Sequence, residues 1–208
     1  MRTEKEILER QQQFCNAYPF PKDYPPKMKA WDSAVNVSVK TRGYPVYSNI
    51  NEKRKEAVTF WKVQLEMIGE KYKKEKQDRC QFQEDVFDLQ DAINSSEYKE
   101  CFANNEIRVG QCQKSLSVFL KWMWCQHELA DTPPVCPIDR QVLRKCYEVL
   151  KRTGTITEQE KKDCSVAWSN LTDRKQYVRL VKITEKVAKL EGESKTAVWE
   201  LFAFQEPQ

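Results

Sequence analysis

Lys114 and Asp139 are residues whose types could do covalent chemistry, although by themselves they read as a solvated lysine at a helix start and a helix cap. Lys114 opens the most apolar stretch of the sequence, residues 111–126, which reads Gln-Cys-Gln-Lys-Ser-Leu-Ser-Val-Phe-Leu-Lys-Trp-Met-Trp-Cys-Gln. A lysine amine in desolvated surroundings sheds its proton more readily, and the neutral amine is a nucleophile able to form a Schiff base. Asp139 stands where an N-cap would, just after Pro137-Ile138 and ahead of Val142, Leu143, Cys146 and Leu150. A cap fixes the position of the carboxylate, and a fixed carboxylate can stabilise developing positive charge or accept a proton from an attacking amine. Lys121 shares a polar strip with Lys114 and Ser117, spaced i, i+3, i+7. It is a rival nucleophile, though an ordinary charge on a helix face is its default reading.

Other chemistries have thinner support. His127 is the only histidine, so any Ser-His-Asp or Cys-His mechanism would rest on it alone, and a residue at a helix end is its simpler reading. The eight cysteines, at 15, 80, 101, 112, 125, 136, 146 and 164, include no pair separated by two residues. Zinc-knuckle and iron–sulfur spacings are therefore absent, and buried reduced thiols are expected. Five glycines form neither a dinucleotide-binding nor a phosphate-loop pattern. Glu84 and Asp88 fall on one helix face and could serve a metal-dependent hydrolase, but such a pair is usually a solvated face. No metal and no cofactor are expected.

The elements that must position Lys114 and Asp139 read as helices. Residues 2–17 have a sparse apolar face of Ile7, Leu8 and Phe14. Residues 18–50 hold five prolines and read as a long loop, with a short strand where Val35, Val37 and Val39 alternate. Asn49 and Glu52 have capping-box spacing, and Val58, Trp61, Leu65, Ile68 and Tyr72 then recur at helical steps to about residue 77. Helices follow at 83–94 and 95–103, the latter started by Ser95 or Ser96, with a turn at Asn104-Asn105. Residues 111–126 are apolar nearly all round, so this helix is expected at the centre of the domain. Thr157 and Glu160 form a second capping box, Gly192 stops a helix over 173–191, and Ser194 opens a last one reaching Gln205. The whole of 1–208 is expected to be one all-α domain, a compact helical body of two lobes around a central cleft.

The segment from Arg108-Val-Gly110 through Lys114 to Pro137-Ile138-Asp139-Arg140 resembles the catalytic core of the helix-hairpin-helix DNA glycosylases of base-excision repair. In that superfamily a Gly-containing hairpin leads to a helix opening with Lys, and Pro-Val-Asp starts a later helix. Residues 104–152 would hold the hairpin and the catalytic core. The usual Leu-Pro-Gly-Val-Gly hairpin is reduced to Val109-Gly110, and Lys114 and Asp139 stand further apart than in the commonest members. Both features bring the chain nearest to the archaeal oxoguanine glycosylase-like branch.

The resemblance implies excision of a damaged or modified base from double-stranded DNA, with Lys114 as nucleophile, Asp139 as catalytic carboxylate and AP-lyase activity. The base would be an oxidised purine, or a modified phage base removed as antiviral defence. Trp122, Trp124 and Trp31 would sandwich the flipped base, although large aromatics more often fill cores. Arg108, Gly110, Lys121 and Arg140 would contact the DNA backbone. The alternative is a non-catalytic helical module binding nucleic acid or protein, which would need the basic residues but not the Lys114–Asp139 pair.

Composition fits either reading. A 40% hydrophobic fraction and six Trp are enough for a packed core, which excludes disorder for most of the chain. A net charge of +4 is compatible with a polyanionic partner without demanding one. No apolar run reaches the roughly 18 residues of a membrane span. The start, Met1-Arg-Thr-Glu-Lys-Glu, leads into no apolar segment, so a cytoplasmic protein without membrane contact is expected. A monomer is expected as well.

Overall fold

In a computed structural model of the chain, the apolar stretch becomes α5 (Val109–Cys125), and all 17 of its residues are buried. The structure describes residues 1–17, 20, 23–40, 45–48 and 52–204. Among the described residues the other α-helices are α1 (Glu4–Asn16), α2 (Pro26–Val39), α3 (Arg54–Lys74), α4 (Arg79–Asn94), α6 (Arg140–Arg152), α7 (Glu158–Cys164), α8 (Arg174–Leu190) and α9 (Thr196–Ala203). Short 3-10 turns occupy Glu97–Cys101, Ala103–Asn105 and Trp168–Asn170, and no strand occurs among the described residues. The helices share one contiguous apolar core, and α5 is its axis, touched by α1, α2, α3, α4 and α8.

The region expected to be a loop with a strand at 35–39 contains α2 instead. Ala30, Ala34 and Ser38 recur at steps of four and are almost wholly buried, so small residues line the face that meets α5. That face lets the two backbones come close, and α2 forms the most extensive of all the helix contacts with α5. Ser38 Oγ donates a hydrogen bond to the Ala34 carbonyl at 2.7 Å, which satisfies the hydroxyl inside the contact. The Val35, Val37 and Val39 alternation is therefore carried by a helix, which bonds its own backbone and needs no partner strand. The capping role expected of Asn49 falls outside the described residues, and Lys53 makes no side-chain cap for α3.

Elsewhere local chemistry sets the boundaries. Asp78 caps α4, which therefore begins earlier than the expected residue 83. Ser96 caps the 3-10 turn at Glu97–Cys101, and Asn104 and Asn105 turn the chain with positive φ. The capping box of Thr157 and Glu160 opens α7. Three helices end in the left-handed C-terminal motif, with Gly192 at φ 83° after α8, Gly154 at φ 68° after α6 and His127 at φ 60° after α5. In each, the next amide reaches back five residues: Glu193 N–H to the Ala188 carbonyl at 2.8 Å, Thr155 N–H to the Leu150 carbonyl at 3.1 Å, and Glu128 N–H to the Met123 carbonyl at 2.9 Å. The last helix starts at Thr196 after Lys195, with no cap from Ser194. Gln205 lies outside the described residues.

Candidate active site

The Pro-rich segment after α5 returns Asp139 to the first turns of that helix. Val135, Cys136, Pro137 and Ile138 are all buried. Gln113, fully buried on α5, grips the Ile138 peptide from both sides. Its Nε2 donates to the Ile138 carbonyl at 2.6 Å and its Oε1 accepts from the Ile138 N–H at 3.2 Å. Thr196 Oγ1, at the start of α9, accepts from Cys136 N–H at 3.0 Å and donates to the Pro134 carbonyl at 3.3 Å. The backbone leading into Asp139 is thus pinned to α5 and α9.

Asp139 divides its carboxylate between two tasks. Oδ1 accepts from the amides of Gln141 and Val142 at 2.9 and 3.0 Å, which caps α6. Oδ2 accepts from Lys114 Nζ at 2.5 Å. The Lys114 side chain is 10% exposed and that of Asp139 27%, so the pair reaches solvent on the carboxylate side. Partial burial pushes the Asp139 carboxyl upward. The Lys114 ammonium, its hydrogen bond and the two cap amides outweigh that and hold the carboxyl below the usual carboxylate range. Asp139 is therefore ionised at neutral pH.

Trp168 completes the surroundings of the amine. Lys114 Nζ lies 5.9 Å from the centroid of its half-buried ring. The turn that carries Trp168 is locked onto the first turn of α5. Gly110 N–H donates to the Leu171 carbonyl at 3.0 Å, and the Ser169 carbonyl accepts from Arg108 Nη1 at 3.2 Å and Gln111 Nε2 at 2.7 Å. Gly110 permits this approach, because a Cβ there would stand 1.9 Å from the Trp168 carbonyl oxygen. Reading along the chain missed Trp168, which lies 54 residues from Lys114 and comes near it only through tertiary contact. The one local signal was an aromatic in a short segment between two capped helices.

Lys114 and Asp139 are brought into direct contact. Several expected site residues lie elsewhere. Gly110 sits inside α5, not at the end of a hairpin, and its amide is engaged by Leu171. Arg108 is buried and holds Ser169, so neither residue presents its donor to a phosphate. Lys121 is also withdrawn from a DNA surface: its Nζ is buried 2.6 Å from Glu200 Oε2 and 4.6 Å from the Phe14 ring centroid. Trp122 packs into the core, its ring 4.9 Å from Phe14 and 5.8 Å from Phe20. Trp124 is buried as well, and Trp31 is half-buried on α2 against the core. None of these three tryptophans makes the contact with Lys114 that Trp168 makes. Arg140 is the one predicted DNA contact that is exposed beside the pair.

Glu84 and Asp88 are exposed on α4, and no group of three His, Cys, Asp or Glu residues among the described residues could hold a metal ion. All eight cysteines are free thiols, and six of them are buried. A groove of about 340 Å³, flanked by Arg2, Lys145, Arg152, Glu191, Trp199 and Phe202, lies apart from the pair. No helix among the described residues is long and apolar enough to cross a membrane. The chain matches no protein-family profile, no curated protein and no solved structure.

Proposed function

We propose that this protein is a DNA glycosylase with AP-lyase activity that removes a modified base from duplex DNA. One observation carries the reading: the amine of Lys114 and the carboxylate of Asp139, 25 residues apart in sequence, meet at 2.5 Å on a solvent-reaching edge. Trp168 beside them supplies the aromatic face against which an extruded base can stack. It takes over the part first expected of Trp31, Trp122 and Trp124.

The reaction uses both members of the pair. Lys114 Nζ gives up a proton to solvent, which leaves Asp139 ionised, and its lone pair attacks C1′ of the target deoxyribose. The N-glycosidic bond breaks, and the base leaves with the bonding electrons and takes up a proton. The ionised Asp139 stabilises the positive charge that develops on the sugar. Opening of the sugar ring leaves a Schiff base between Nζ and C1′. Loss of a C2′ proton then expels the 3′ phosphate by β-elimination, and water releases the sugar fragment from the lysine. The substrate is an oxidised purine or a modified phage base in duplex DNA, and the working form is a cytoplasmic monomer. The two-lobed, glycosylase-like arrangement of helices belongs to this same proposal.

The test is incubation with duplexes carrying different modified bases, scored by heat and alkali for abasic sites. The expected result is cleavage at one class of modified base. No cleavage of any duplex, with DNA binding intact, would favour the second reading, a non-catalytic helical module. The observation favouring that alternative is that both oxygens of Asp139 are already occupied, one as a cap and one by Lys114.

A further inference from the structure

The positive charge of the chain is concentrated in the stretch of sequence that follows Asp139. Residues 140–195 hold 14 Lys and Arg against 8 Asp and Glu, an excess larger than the +4 of the whole chain. Helix α6 alone carries Arg140, Arg144, Lys145, Lys151 and Arg152 against the single acid Glu148. One face of α6, formed by Val142, Leu143, Cys146, Val149 and Leu150, is buried in the core. Arg140, Arg144, Tyr147 and Lys151 recur at steps of four, three and four and so share the other face. The three basic residues are exposed, and Tyr147 is half-buried with Lys151 Nζ 5.9 Å from its ring centroid. The Arg144 side chain is 80% exposed and bonds Glu148 in a solvated i,i+4 pair, which a phosphate can replace.

We propose that this face of α6 is the track for the backbone of a DNA duplex, running from the Lys114–Asp139 pair to Lys151. The proposal deepens the glycosylase reading and rests on it for the direction of the track. From Arg140 to Lys151 the stripe rises about 16 Å, which matches about five base steps of one strand. Arginine forks suit phosphate oxygens, and a fixed helix holds them in register. The track starts at the residue that follows Asp139, so a strand lying along it reaches the pair. It replaces the surface first expected from Arg108, Gly110 and Lys121, whose donors are turned inward. Helix α8 offers a comparison, because its exposed Lys175, Lys182 and Lys189 also share a face but do not begin at the pair.

The experiment is binding of the full chain to an unmodified 25-base-pair duplex, followed by fluorescence anisotropy as salt is raised. Two triple variants are compared with the wild type: R140Q/R144Q/K151Q on α6, and K175Q/K182Q/K189Q on α8. Each phosphate contact adds about 0.9 to the slope of log K against log salt, so losing three should flatten it by about 2.7. Over a fourfold rise in salt, the wild type should then lose about 40-fold more affinity than the α6 variant. The α8 variant should keep the wild-type slope. An unchanged slope in the α6 variant would overturn the track. Equal flattening in both variants would overturn it too, since it would show diffuse attraction. So would binding to phosphatidylserine vesicles that depends on α6 while duplex binding does not. This readout needs no catalysis. A flattened α6 slope without excision of any base sinks the glycosylase reading and leaves the track standing, and excision with an unchanged α6 slope does the reverse.

Discussion

Removing the charge of Asp139 while keeping its shape separates the two tasks of its carboxylate. In Asp139→Asn the side-chain oxygen can still accept from Gln141 and Val142, because Asn caps about as well as Asp. What is lost is the charge facing Lys114, whose side chain is only 10% exposed. Breaking a fully buried pair costs about 3–5 kcal/mol, and the 27% exposure of Asp139 reduces that to about 1–2 kcal/mol here. Asp139→Ala also removes the cap and should cost about 1 kcal/mol more. A double-mutant cycle with Lys114→Met isolates the pair, and its coupling energy should be about 1–2 kcal/mol at pH 7 by urea unfolding. The coupling must also depend on pH. The folded-state pKa of Asp139 lies below the unfolded value, so its contribution is present above the unfolded pKa and fades as pH falls through the folded one. The cycle repeated in acid below that value should therefore show a coupling near zero. Additive single effects at pH 7, or a coupling that persists unchanged in acid, would refute the reasoning that the pair is electrostatically joined.

Two further outcomes follow from the packing. Gly110→Ala places a Cβ 1.9 Å from the Trp168 carbonyl, so the 168–171 turn must shift. A loss of about 1–3 kcal/mol in urea unfolding is expected, with a drop in any base excision as Trp168 moves. The Lys121–Glu200 pair should behave in the opposite sense to an exposed pair, because both side chains are almost wholly enclosed. Lys121→Met or Glu200→Leu alone should each cost about 3–5 kcal/mol, whereas the double variant should recover most of that loss, as thermal melts would show.

The sequence was most legible where local chemistry decides structure. The all-round apolarity of residues 111–126 placed that helix at the centre, and all of α5 is buried. Asp139, Thr157 with Glu160, and Gly192 marked helix ends because caps and left-handed turns are chosen by adjacent residues. Legibility failed where a distant partner decides. Val35, Val37 and Val39 alternate as in a strand, but the small face of Ala30, Ala34 and Ser38, which matters only against α5, holds them in a helix. Lys121 looked solvated from the polar strip it shares with Lys114 and Ser117. The carboxylate that lets it be buried arrives 79 residues later on α9. Trp168 could not be tied to Lys114 from spacing, since Gly110 and the Ser169 and Leu171 carbonyls bring them together.

The central claim is that Lys114 is a nucleophile poised by Asp139, and reductive trapping tests it most directly. The protein is incubated with duplex carrying an excisable base in the presence of borohydride, and covalent protein–DNA adducts are resolved on a denaturing gel. The wild type should form an adduct, because a Schiff base between Nζ and C1′ is reducible to a stable amine. Lys114→Gln should bind the duplex and form none, while Lys121→Gln, where it folds, should still be trapped. An adduct that survives Lys114→Gln would contradict the account.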